Sequence, residues 1–383
     1  MGQGLGRIHY MDAMRAVLMM LGIVLHSAQV FNPANGWVIH SAHTFPLAGW
    51  LVEGIALFRM PAFFIVAGFF CLLSMQKYNA RDFAVMRVER LAVPLFVCAL
   101  LLNSVQTSIL AGYGSLDFEL FAYLANGKWM SHLWFLNHLL VYVGVGYLVS
   151  RAGWQLLGLF GRYAAAACSI TPPFALITFV AVGHLLVFKV LGASGLLGLG
   201  VVAGTFDLYS IAWNAPFFVF GMVLGLRREL LDRFAQVSPA LAVLVIGICA
   251  PVAAAGAALD SALLRVGADF LKLIAIWHAA ALCFRVFQQI ANRPSELMTR
   301  LSGASYTVYL FHHLFVIAFG IVLIHYGIGG LPGFIALVSA VTVTTLLIHQ
   351  HLIAPSPVGR YLFNGIRTRN AGVVPVWLQR RHT

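Results

Sequence analysis

Charge is what this chain has least of. Only 9% of its 383 residues are Asp, Glu, Lys or Arg, and just 12 are acidic. A soluble domain carries about 25%, so the composition excludes an ordinary soluble globular protein. Five cysteines (Cys71, Cys98, Cys168, Cys249, Cys283) stand at irregular spacing in apolar surroundings. They form neither a disulfide framework nor a metal-ligand pattern and read as small buried hydrophobes. The G-x-S-x-G elbow, the P-loop and H-E-x-x-H are absent as well, which argues against a serine hydrolase, an ATPase and a zinc enzyme. No internal repeat of the kind that marks many secondary transporters is visible.

What is present is apolar. Hydrophobic residues make up 61% of the chain and mean hydropathy is +0.89. Apolar runs of about 18–22 residues recur along the whole length, without the alternation of a membrane barrel. The reading is an all-α polytopic membrane protein with ten spans, near 13–31, 50–75, 91–111, 132–150, 174–191, 211–226, 239–259, 269–290, 304–325 and 332–353. The first run contains Arg15 and lacks a small-residue cleavage site after it, so it is expected to stay as a span.

The distribution of positive charge tests that count. With the N-terminus in the cytoplasm, 18 Lys and Arg residues fall on the inner side, and only Lys128 and Arg265 fall outside. The other four, Arg15, Arg59, Lys189 and Lys272, lie within or at the ends of spans. This asymmetry predicts ten helices with both termini cytoplasmic. It also accounts for the net charge of +12 without nucleic acid. Residues 1–358 read as one transmembrane domain and 359–383 as a basic cytoplasmic tail on the anionic leaflet. A Gly-rich outer loop near 192–210 reads as flexible or re-entrant. Gly200/Gly204 and Gly221/Gly225 have the spacing of close helix packing.

Against this background the intramembrane polar residues stand out, because each is costly unless it is paired or lines a pathway. Arg15 and His26 are eleven residues apart in the first span. That is close to three helical turns, so both point to one face about 16 Å apart. Two readings stand for each. Arg15 either snorkels to the inner interface or reaches into a site; His26 is either a hydrogen-bonded core histidine or a general base. In the second span Arg59 lies beside Pro61, six residues after Glu53. It either satisfies carbonyls at a proline kink or stabilises an anion. Arg87 and Arg90 start the third span, as topology signals or as phosphate ligands for a cytoplasmic donor. His132 and Trp134 open the fourth as interface anchors or as pocket residues. In the ninth, Tyr306, Tyr309 and His313 share a face and His312 is adjacent; packing alone does not explain two neighbouring histidines.

Taken in order, D-x-x-R-A with a histidine eleven after the arginine, F-R-M-x-x-F-F-x-x-x-G-x-F, R-V-E-R-x-x-x-P, S-H-L-W-F-L and the late histidine pair resemble the acyltransferase-three family of integral membrane enzymes. The resemblance runs from Asp12 to about Gly365. It implies transfer of an acyl group from cytoplasmic acyl-CoA to an extracytoplasmic carbohydrate hydroxyl, here succinyl to a periplasmic glucan or other polysaccharide. Acyl-CoA would be a substrate, with no permanently bound cofactor and no metal. By this resemblance His26, Arg15 and Arg59 are the catalytic set, and Arg87 and Arg90, with Arg15, hold the acyl-CoA. Glu53, His132, Trp134, Tyr306, Tyr309, His312 and His313 are the candidate substrate contacts. Arg59 or Tyr306 would stabilise the oxyanion or hold the succinyl carboxylate. Where the family more usually has Ser before a glycine, this chain has Ala67-Gly68. Membrane lipids and a glucan synthase or a second copy are the expected partners. The rival class is a transporter or flippase for a polysaccharide or a lipid-linked sugar.

Overall fold

The structure, a computed structural model, describes residues 8–34, 36–114, 119–257 and 261–367. Among these the chain is built from thirteen α-helices. They are α1 (His9–Val30), α2 (Leu47–Lys77), α3 (Ala80–Gly112), α4 (Leu120–Ala125), α5 (Trp134–Ile170), α6 (Pro173–Ala193), α7 (Leu208–Leu226), α8 (Arg228–Phe234), α9 (Pro239–Ala257), α10 (Ala262–Ile290), α11 (Glu296–His325), α12 (Gly330–Ile348) and α13 (Pro357–Asn364).

A long helix stands at each of the ten expected places. Eight of them are long and apolar enough to cross a membrane: α1, α2, α6, α7, α9, α10, α11, and α12 with its π-helical extension to Ile353. The other two are α3 and α5. The first turns of α3 carry Arg81, Asp82, Arg87, Glu89 and Arg90, which dilutes its apolar character. α5 leaves helical geometry at Gly153, close to where the fourth apolar run was expected to end. Helices suit this composition because every interior backbone group is satisfied within its own segment, without water. Pro61 and Pro94 sit inside α2 and α3, and each helix continues past its proline. Where helices begin in polar surroundings the sequence supplies caps: Ser295 for α11, Asp207 for α7, and Ser356 with Pro357 for α13.

The chain divides into two compact units. One comprises residues 1–14, 54–83 and 141–293; the other comprises 15–53, 84–140 and 294–383.

In the first unit the dominant contact is glycine-mediated. A Cβ placed on Gly221 of α7 would lie 2.0 Å from the Ile65 carbonyl oxygen of α2, and one on Gly68 would lie 2.0 Å from the Phe218 carbonyl oxygen. The two backbones therefore touch, and Gly225 continues the seam against Leu72 and Phe69. The 221/225 pair does have the packing role its spacing suggested. Gly200 and Gly204 do not: both have positive φ and flank a small turn, where they supply left-handed backbone. That turn belongs to a two-residue hairpin, Val201–Val202 against Phe206–Asp207, so the Gly-rich outer loop is folded locally. Beneath it Trp277 is fully buried among Phe217, Phe220 and Phe234.

In the second unit the core gathers Ile23, Val30 and Phe31 from α1 and its end, Val308, Val316 and Ile317 from α11, and Leu337 and Val341 from α12. Gly320 lets α11 approach Ile39 and Val30. Gly365, in left-handed conformation after α13, lies directly on the backbone of Glu89 and Arg90. Arg367 pairs with Glu89 at 2.6 Å there, so residues 357–367 fold onto the start of α3. Residues 368–383 of the expected tail lie outside the described residues, as does Arg7. Cys71, Cys98 and Cys283 are buried and Cys249 is half-buried, all as free thiols; the Cys168 side chain is outside the description.

The α2–α7 seam gives a direct test. Replacing Gly221 by Leu forces the two backbones apart and should destabilise the protein by about 3 kcal/mol or more. Gly247→Ala on α9, where nothing lies within 4 Å, should be neutral or slightly stabilising. Thermal unfolding of both variants in one detergent checks this. Equal midpoints would show that the seam does not hold the unit together.

Candidate functional site

The second unit gathers four imidazoles that are far apart in sequence. His26 comes from α1, His132 from the 3₁₀ turn Lys128–Leu133, and His312 and His313 from α11. The His132 and His313 rings stack with centroids 4.7 Å apart and a 9° interplanar angle. His26 stands edge-on to His313 at 4.9 Å and tilted to His312 at 5.4 Å. Trp37 closes one side, stacked on His26 at 5.7 Å and edge-on to His313 at 5.5 Å. His132, His312 and His313 are buried; His26 and Trp37 are half-buried. Among the described residues no group of His, Cys, Asp or Glu has an arrangement that could hold a metal ion.

Each member is placed by a distinct local device. The segment after α1 turns back on itself, with Ser41 N–H bonded to the Val30 carbonyl and Phe45 N–H to the Phe31 carbonyl. Its far end is tied down where Gly330 N–H bonds to the His43 carbonyl at 2.6 Å. This fold carries Trp37 onto His26. The turn bearing His132 is fixed from α3. Asn103 donates to the Trp129 and Met130 carbonyls at 2.9 and 3.0 Å, and Gln106, one turn on, donates to Ser131 Oγ at 3.0 Å. Ser131 itself has φ 46°, a conformation a side chain rarely adopts. Local strain of this sort persists only where its surroundings over-determine it, and it clusters at functional sites. Tyr309 completes the support by donating its hydroxyl to the His132 carbonyl at 2.9 Å.

Carbonyl partners require an N–H from His132 and His312, and the orientation of two glutamine amides gives an N–H to His26 and His313. His26 Nδ1 donates to Gln29 Oε1 at 2.7 Å, and His313 Nδ1 donates to Gln106 Oε1 at 2.7 Å. His312 Nδ1 donates to the Tyr309 carbonyl. These three rings hold their lone pair on Nε2. His132 is the reverse: Nε2 donates to the Leu310 carbonyl at 3.2 Å, leaving the lone pair on Nδ1.

A second polar layer lies toward the helix starts. Arg15 donates to Ser302 Oγ at 3.1 Å, and Tyr306 donates to the Arg90 carbonyl at 2.8 Å. The two layers are in register. Arg15 to His26 is eleven residues on α1 and Ser302 to His313 is eleven on α11, so the helices run parallel and the layers are about 16 Å apart.

Of the residues singled out from sequence, His26, His132, Tyr309, His312 and His313 meet in the upper layer. Arg15 and Arg90 belong to the lower one. Tyr306 stands between the layers, its hydroxyl on the Arg90 carbonyl and its ring stacked at 6.5 Å on that of Tyr309. Arg87 is half-buried near the start of α3. Trp134 packs its ring against His138 at 5.0 Å, at the start of α5. Arg59 is buried on α2 in the first unit, while Glu53 is exposed on the same helix. Sequence reading missed Trp37, Gln29, Gln106 and Ser131. Gln29 carried a usable signal, three residues after His26 and so on its face of the helix. Gln106 carried none, since its histidine is 207 residues away.

The chain matches the acyltransferase-three family, described as "Acyltransferase domain", over residues 8–349. It is 24% identical to "Glucans biosynthesis protein C" of Salmonella paratyphi B, with 94% of this chain and 95% of that protein covered. The proteins of the same name from Salmonella typhi and Salmonella typhimurium are equally similar, at 24% identity and the same coverage. No solved structure matches the chain. The helical architecture, the intramembrane histidine cluster and a match over most of the chain lead to one assignment: this is a multi-pass membrane protein of the acyltransferase-three family.

Proposed function

We propose that the protein moves a succinyl group from cytoplasmic succinyl-CoA to hydroxyls of a periplasmic glucan, across a bacterial inner membrane that it spans ten times with both termini inside. The observation that carries this reading is the pair of polar layers on parallel α1 and α11. A lower layer with Arg15, and with Arg87 and Arg90 at the start of α3, suits the phosphates of a coenzyme A nucleotide on the cytoplasmic side. An upper layer of imidazoles suits an acceptor hydroxyl. The gap of about 16 Å is one a pantetheine arm can reach across. A glucan acceptor is supported by the similarity to Glucans biosynthesis protein C, the cytoplasmic donor side by the 18-to-2 charge asymmetry, and succinyl is the group that the family resemblance implies.

In this mechanism the neutral His26 takes the acceptor hydroxyl proton at Nε2 as the oxygen bonds to the acyl carbon. The carbon–sulfur bond then breaks, and the thiolate leaves with that proton as free coenzyme A. General-base catalysis of this kind is worth about 10²–10⁴ in rate. Direct transfer is the reading adopted; an acyl-histidine is its covalent variant. No permanently bound cofactor is required. Lipids surround the spans, and a glucan synthase or a second copy of the chain is the protein partner proposed.

Mass spectrometry of periplasmic glucans from cells lacking the protein, complemented with wild type or His26→Ala, tests this. The succinyl mass increment should return only with wild type, while the variant should reach the membrane in equal amount. Near-normal succinylation by His26→Ala would remove His26 as the base, and unmodified glucan in every strain would remove the glucan as acceptor. Separately, Arg87→Ala combined with Arg90→Ala should raise the KM for succinyl-CoA about tenfold to a hundredfold, the loss expected for charge-assisted contacts. An unchanged donor KM would assign those arginines to topology alone.

A further inference from the structure

We propose that Gln29 and Gln106 are positioning residues for the acyl transfer, each fixing one histidine, His26 or His313, with its lone pair on Nε2. The proposal rests on the acyl-transfer reading above and names two residues that no sequence motif of that reading contains.

The geometry repeats itself by two unrelated routes. Gln29 meets His26 along one helix face, three residues on; Gln106 meets His313 from another helix. In both cases an amide oxygen accepts Nδ1–H at 2.7 Å. Gln106 also spans two partners: its Nε2 donates to Ser131 Oγ at 3.0 Å while its oxygen faces His313 Nδ1. Gln106 is buried, and Asn103, one turn earlier, fastens the same 3₁₀ turn through two carbonyls. The two clamped rings lie edge to face at 4.9 Å, so both Nε2 lone pairs belong to one cluster. His26 Nε2 takes the hydroxyl proton, and His313 Nε2 accepts a hydrogen bond from a neighbouring sugar hydroxyl.

Amides suit this task better than carboxylates. A carboxylate behind an imidazole orients it but also stabilises the imidazolium, and in a water-poor interior that bias is large. An amide orients the ring and adds no charge. Four imidazoles within one cluster have the most to gain from that neutrality, since each protonated ring would repel the others.

Uniformly ¹⁵N-histidine-labelled protein in lipid nanodiscs tests the clamps without substrate. Signals are assigned by comparison with His26→Gln and His313→Gln. In the wild type both residues should show a protonated Nδ1 and a lone-pair Nε2. Gln29→Met should remove that signature from His26 alone, and Gln106→Met from His313 alone. Gln106→Glu, which retains an acceptor oxygen, should return the Nδ1 proton to His313 but with an imidazolium fraction that the amide does not give. With succinyl-CoA and unsuccinylated periplasmic glucan, each Met variant should lose about tenfold in kcat at unchanged donor KM. A protonated Nε2 at either histidine of the wild type would overturn the proposal, as would Met variants with wild-type spectra and turnover. Expected spectra in a protein that transfers no succinyl group would uphold the clamps and take down the acyl-transfer reading instead.

Discussion

A polar side chain inside a membrane has no water to fall back on, so it must find its partner within the protein. The second unit is organised around how α1 and α11 meet that demand. Each helix carries polar residues eleven positions apart, and the two spacings coincide. Arg15 bonds Ser302 at one level, and His26 stands against His312 and His313 at the next. Either pair alone would allow the helices to slide or rotate. Two pairs at the same interval fix register and direction together, because a shift of one residue turns each helix face by about 100°. Apolar residues Ile23, Ala304 and Val308 then fill the space between levels, and Val30, Val316 and Ile317 continue the core beyond the histidines. This packing supplies affinity between helices but little choice of register, which the polar levels provide.

Much of this was legible in the chain. The ten apolar runs became ten long helices, and the eleven-residue interval in α1 did identify two depths on one stripe. Gly221 and Gly225 could be read as packing glycines because their spacing has a single physical use on a helix. Gly200 and Gly204 have the same spacing but follow the Gly195–Gly198 stretch outside any helix, and there glycine serves turns. Spacing alone could not separate the two cases; helical context did. The extra turns at the start of α11 were hidden because Glu296 and Arg300 are charged, yet they form an i, i+4 pair on an exposed face and extend the helix beyond its apolar run.

What the chain did not disclose is the company its histidines keep. A histidine advertises itself by being polar in an apolar run, whereas its supports are ordinary residues. Trp37 lies in a polar loop and reaches the cluster only because that loop is tied at Val30, Phe31 and His43. Tyr306 illustrates the limit of a helical wheel. It shares a helix face with Tyr309 and His313, so a helical wheel groups all three, but a wheel discards depth. Seven residues separate Tyr306 from His313, about 10 Å along the axis, and the Tyr306 hydroxyl serves the α3 backbone at Arg90.

That separation of levels also bears on how such a site can be both open and selective. Donor and acceptor chemistry differ in sign: phosphates call for fixed positive charge, and a hydroxyl calls for a neutral base. Placing both on one level would set an arginine beside an imidazole and make its protonation harder, at a point where the reaction needs it to accept a proton. Distance solves this. With about 16 Å between the layers, Arg15 donates to the Ser302 hydroxyl at one level, and amide and carbonyl oxygens hold the imidazoles at the other. The same neutral partners keep the cost of burying the cluster low, since no full charge has to be desolvated in the resting state. A long axial gap therefore keeps fixed positive charge apart from the imidazoles, and the paired eleven-residue intervals are how this sequence builds one.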